Sequence, residues 1–235
     1  METHQEKASR ILTEARQAFG ARDYPRALEL YEWFFDHALD DPKSGLSGVR
    51  LSYCLDGWMQ LGQVFEPARV KLEQRRLQSI QDLERTRKSD KFHEFMAICE
   101  FTGVPHLAVD QFLEYHRSDR ELASIVFGYA KDKLVASEQW QVCSAYIHDA
   151  DHDYAIALQV FDASARIYRE NPSFGDEFEQ VYKNRHINEV TNLVAILTHA
   201  RRFDDAQRIC ELANKDMKER GLKEFLSVYP EDFEE

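Results

Sequence analysis

Seven consecutive residues, Ile147-His148-Asp149-Ala150-Asp151-His152-Asp153, hold the densest set of metal-ligating side chains in the sequence. At i and i+4 on a helix, His148 and His152 would share one face, and Asp149 or Asp153 would add oxygen ligands suited to zinc or manganese. The chemistry would be metal-assisted hydrolysis, with further ligands needed from other helices. The same residues also describe a helix boundary. A histidine closing one helix suits the negative end of its dipole, and Asp151 with Asp153 can turn the chain and cap a helix beginning at Tyr154. The corresponding turns Gly20-Ala21-Arg22-Asp23 and Arg201-Arg202-Phe203-Asp204 are equally polar. Capping is therefore the reading adopted, and no metal ligand is assigned.

Other chemical signals are weaker. His93-Glu94 falls short of a His-Glu-x-x-His zinc motif because Ala97 occupies the second histidine's place, and neither a Gly-x-Ser-x-Gly elbow nor a phosphate-binding Gly-rich loop occurs. Ser144 near His148 lacks a third group that would make a triad. Cys54, Cys99, Cys143 and Cys210 lie far apart with no Cys-x-x-Cys pair, which predicts reduced, partly buried thiols. Between Arg69 and Lys91, eight basic residues are interleaved with Glu73, Asp82, Glu84 and Asp90, the pattern of a solvated helix face rather than a phosphate-binding strip. The sequence thus offers no catalytic, cofactor-binding or metal-binding residues.

The elements that carry these residues read as helices throughout. Nine glycines and six prolines in 235 residues leave long stretches without breakers, and 43% hydrophobic content allows a substantial core. Ile11, Leu12, Ala15, Ala18 and Phe19 gather on one helical face, and Ala27, Leu28, Tyr31, Phe34 and Phe35 repeat the spacing in a helix over 24–39. Gly20 to Asp23 between them makes an antiparallel hairpin. A net charge of −12 opposes attraction to nucleic acid or anionic lipid. With no long apolar run and no layout of a secretion signal at Met1 to Lys7, the expectation is a cytoplasmic protein without membrane contact.

Similar second helices recur as Tyr24-x-x-Ala27-x-x-x-Tyr31, Phe65-x-x-Ala68-x-x-x-Leu72, Pro105-x-x-Ala108-x-x-x-Phe112, Tyr154-x-x-Ala157-x-x-x-Phe161 and Phe203-x-x-Ala206-x-x-x-Cys210. With Ala15 and Ala145 as small first-helix residues, and Asn171-Pro172 closing the fourth pair, the chain resembles the tetratricopeptide-repeat family. The alanines stand farther apart than the repeat of about 34 residues, and Asp119 to Ala136 reads as an insertion. Phe34 replaces a second small residue, and Asp56 and Met96 replace the small first-helix residue of pairs two and three. The resemblance implies an all-α, right-handed superhelical array of about five antiparallel hairpins, one domain over 1–220 followed by an acidic tail over 221–235. It also implies a groove for another protein, lined by first helices that offer Tyr53, Trp58, Gln60, Tyr146 and Asn192; Trp58 and Trp140 also fit core positions. An acidic array suits a basic partner, as in a chaperone or a toxin-neutralising immunity protein, with a general assembly scaffold as the alternative. A His-Asp dyad in a helical chain is similar to the HD phosphohydrolases, which makes a metal-dependent hydrolase the remaining alternative.

Overall fold

A computed structural model describes residues 2–41 and 43–222, save the side chain of Pro172. The tail expected over 221–235 falls, from residue 223 onward, outside the described residues. Among the described residues the secondary structure is helical and contains no strand, and no helix is long and apolar enough to cross a membrane. The chain divides into two compact units, Met1–Ala130 and Lys131–Glu235, where the sequence reading expects one continuous array.

In the first unit, Thr3 opens α1 (His4–Gly20) with a capping box. Its hydroxyl accepts from the Glu6 amide at 3.2 Å, and the Glu6 carboxylate accepts from the Thr3 amide at 2.8 Å. Arg22 takes a left-handed φ of 62°, and Asp23 caps α2 (Tyr24–His37) by accepting from the Arg26 amide. Ala8, Ile11, Leu12 and Ala15 of α1 join Ala27, Leu28, Tyr31, Phe34 and Phe35 of α2 in one core, which is the face that the 3.6-residue period predicts.

A continuous helical run follows: α3 (Ser47–Val49), a π-helical turn (Arg50–Cys54) and α4 (Leu55–Val64), and then α5 (Glu66–Thr86). Two glycines allow the close approaches. A β-carbon on Gly57 would lie 2.4 Å from Tyr31 Oη, and one on Gly62 would lie 3.3 Å from the Arg69 backbone. The small residue of the second pair is thus Gly57, one position beyond the expected Asp56. Trp58 is fully buried and donates its indole N–H to the Ala68 carbonyl at 3.0 Å. Next come α6 (Ser89–Phe101), α7 (His106–Ser118) and α8 (Arg120–Ala136). The expected insertion over 119–136 is this single helix, begun by Asp119, which accepts from the Leu122 amide at 3.0 Å.

The second unit contains α9 (Trp140–Ser144), α10 (Ala150–Glu170), α11 (Gly175–His199) and α12 (Phe203–Glu219), with a 3-10 turn Pro172–Phe174 between α10 and α11. The fourth pair departs from expectation, because α9 is a single turn and Ala145 is its C-terminal cap. The partner of α10 is instead α11: Phe161 meets Tyr182 edge-on at 5.3 Å, and Tyr168 stacks on Phe178 at 6.3 Å. Along α12, Ala206, Ile209, Ala213 and Met217 are fully buried. Tyr154 Oη donates to Asp216 at 2.6 Å, and Arg220 Nε donates to Asp162 at 3.3 Å, which ties α12 to α10.

Candidate partner-binding surface

The five residues expected to line a groove fare differently. Tyr53 projects from the π-helical turn with 63% exposure, and the Arg16 guanidinium lies 5.6 Å from its ring centroid. Gln60, two turns further along the same helical run, is exposed and donates to Asp56 at 2.8 Å. Trp58 is corrected from groove to core: a side chain with no exposed surface and a satisfied indole cannot meet a partner. In the second unit, Tyr146 is half-buried in the turn after α9, and half-buried Asn192 donates to Asp132 at 3.1 Å. Tyr53, Trp58 and Gln60 lie on one helical run, with Trp58 turned into the core. Trp140 is half-buried and stacks on His199 with ring centroids 4.3 Å apart.

The His-Asp segment resolves into a helix start, displaced from where the sequence places it. Asp149, rather than Asp151 or Asp153, is the cap: its Oδ1 accepts from the His152 amide at 3.0 Å, and α10 begins at Ala150 instead of Tyr154. His148 and His152 are both exposed, and Asp151 pairs with Arg208 of α12. Burial pushes the half-buried Asp153 carboxyl above its ordinary value, against the pull of Lys131. Among the described residues, no three His, Cys, Asp or Glu side chains converge as metal ligands would.

A surface that the sequence reading passed over lies on α10 itself. Tyr154, Ala157, Leu158 and Phe161 form its inner face, with Tyr154 and Phe161 buried. Ile156, Val160 and Ile167 are 46%, 40% and 45% exposed, and with Ala163 they occur at i, i+4, i+7 and i+11. At 100° per residue these four form a second stripe nearly opposite the first. Helices on a protein's surface normally turn charged side chains outward, so a second apolar stripe is a departure from that pattern. The signal was present in the sequence as a second 3.6-residue period within one helix.

The adjoining end of the α10–α11 hairpin continues this character. Phe174 is 49% exposed and packs its ring 5.1 Å from Phe178, which leads inward to Tyr182 at 5.9 Å. From Glu170 to Tyr182 the sequence carries Glu170, Asp176, Glu177 and Glu179 and no basic residue. Glu179 pairs with Lys183 at 2.7 Å and Asp176 accepts from Tyr168 at 3.5 Å. Glu170 and Glu177 are exposed with no ion pair among the described residues. Arg166 and Arg169, just before this stretch on α10, are likewise exposed with no ion pair among the described residues, so the apolar side chains here are flanked by charges of both signs. Comparison with known proteins adds no likeness to this picture: no family model, no curated protein and no solved structure matches the chain.

Proposed function

We propose that the chain is a non-catalytic protein-binding module that holds a basic, apolar-faced segment of another protein on the outer face of α10. The observation that carries this reading is the stripe of exposed Ile156, Val160 and Ile167, with half-buried Ala163 among them, on a helix that already buries Tyr154 and Phe161 on its opposite face. Each of the three exposed side chains is already more than half covered, so burying the remainder contributes about 1 kcal/mol apiece, and the net charge of −12 favours a cationic partner. The tetratricopeptide-like array, right-handed and built from successive antiparallel hairpins, belongs to the same proposal. Its support is local: Ala15, Ala27, Ala68, Ala108 and Ala206 are all buried at their pattern positions, as helix crossings of that family require. A chaperone or an immunity protein is the concrete form this module takes.

The test compares proteins retained by the wild-type chain and by Ile156→Asp/Val160→Asp. Both positions face outward, so the variant should keep stability within about 0.5 kcal/mol per site. One or few proteins should be retained by wild type, released as salt approaches about 1 M, and lost from the variant. Identical retention by both would overturn the reading.

A further inference from the structure

The first unit contains a cleft of about 590 Å³ between the end of α2, the π-helical turn and the start of α6, within the range of about 300–1,000 Å³ usual for small-molecule sites. Its floor is charged and buried. Arg50 and Glu94 are 8% and 6% exposed. Arg50 donates through Nε to the Phe35 carbonyl at 2.6 Å and through Nη2 to Glu94 Oε2 at 2.7 Å, and its guanidinium lies 3.7 Å from the Phe35 ring centroid. Lys91 Nζ donates to the same Oε2 at 3.2 Å, and Ser79 Oγ donates to Oε1 at 2.8 Å.

One carboxylate therefore serves two cations, and the hydrogen bonds of Arg50 among the described residues run through Nε and Nη2, leaving Nη1 without one. The other acids of the cleft do not correct this balance at its floor. Asp36 is held by Arg75 through both oxygens at 2.7 Å, and Asp90 stands exposed in the first turn of α6. Arg50 Nη1 is not among the buried polar atoms that lack a partner, so it keeps accessible surface on the side of the cleft that Arg50 lines. The walls are apolar: Leu39 and Leu51 line the cleft with Tyr129, on which His93 stacks at 4.7 Å and 15°. The wider π-helical turn is the local irregularity that often accompanies a binding site.

We propose that this cleft binds a small organic carboxylate with an apolar or aromatic body, its carboxylate against Arg50 Nη1 and Lys91 Nζ and its body against Leu39, Leu51 and Tyr129. This site is independent of the α10 surface and stands or falls without it. The test is calorimetric titration of the whole protein with 3-phenylpropanoate and with its neutral counterpart 3-phenylpropanol. The carboxylate should bind saturably at one site. Binding should weaken at least about tenfold for the alcohol and for Lys91→Met, the loss expected of one charge-assisted hydrogen bond. Leu51→Trp, which fills the cleft, should abolish it. Lys91→Met leaves the Arg50–Glu94 pair in place, so it remains informative if Leu51→Trp fails to fold. No saturable heat up to about 10 mM ligand, equal affinity for the alcohol, or unchanged affinity in folded Lys91→Met would overturn the proposal.

Discussion

Gly57→Ala gives a stringent check on the packing of the first unit, because two opposing terms of known size meet at one atom. In an open helix interior this substitution stabilises by about 0.5–1 kcal/mol through reduced chain entropy. Here the added methyl would lie 2.4 Å from Tyr31 Oη and 2.7 Å from Cζ, and Tyr31 is fully buried in the core, so its ring can move aside only by displacing core neighbours. Overpacking of this kind costs about 1–3 kcal/mol, so the variant should lose about 1–2 kcal/mol net. Tyr31→Phe removes the nearest atom of the clash together with a buried hydroxyl that has no hydrogen-bond partner, so that change alone should be neutral or stabilising. In the Tyr31→Phe background, Gly57→Ala should then cost measurably less, a coupling of at least about 0.5 kcal/mol. Urea unfolding followed by circular dichroism reads all four corners of the cycle. A Gly57→Ala variant more stable than wild type, or the same loss in both backgrounds, would refute the proposed contact.

Three further outcomes follow from the buried polar groups. Glu94→Ala leaves Arg50 without its carboxylate and should destabilise by about 3–5 kcal/mol in thermal or urea unfolding. Burial alone would raise the Glu94 carboxyl, but Arg50, Lys91 and Ser79 hold it below its ordinary 4.5. Its contribution is therefore present above that value and lost as pH falls below it, and Glu94→Ala should flatten this part of the acid limb. His186 is 3% exposed, and neither ring nitrogen has a hydrogen-bond partner of normal geometry. Burial lowers its pKa below 6.5, with the Ala157 carbonyl opposing only in part. The neutral ring must charge on unfolding, so stability falls as pH drops below 6.5, and His186→Leu should melt with a smaller difference between about pH 8 and about pH 5. All four cysteines are buried, with Cys54 pushed up to about 12 and Cys143 to about 11 by burial. Thiol reagents should react slowly with native protein and reach four equivalents only after unfolding.

Much of the packing was legible because a helix repeats every 3.6 residues and a core tolerates only small side chains where helices cross. Ala15, Ala27, Tyr31, Ala68, Phe112, Phe161 and Ala206 are buried as the pattern predicts. Ala145 and Ala157 are only half-buried, in a pair whose α10 packs on α11 rather than on a long first helix, and of the residues that open the pattern Tyr24, Phe65 and Phe203 are half-buried and Pro105 is exposed. Period alone does not fix register to one residue, which is why Asp56 stood in for Gly57. It also cannot separate a core aromatic from a groove aromatic, hence Trp58. The cap at Asp149 was misplaced because each aspartate of 149, 151 and 153 fits a helix start equally well, and tertiary pairing of Asp151 with Arg208 decides between them. Arg50 left no sequence signal, since a buried arginine depends on Glu94, which is distant in sequence.

The central claim is that the outer stripe of α10 is where the partner sits. A photo-crosslinking amino acid placed at Val160 tests this most directly, with Gln207, an exposed position on α12, as the control. Val160 should yield one dominant adduct with a basic protein or a basic segment, weakened by Glu170→Lys/Glu177→Lys, while Gln207 yields none. Equal crosslinking at the two positions, or no adduct at Val160, would contradict the account.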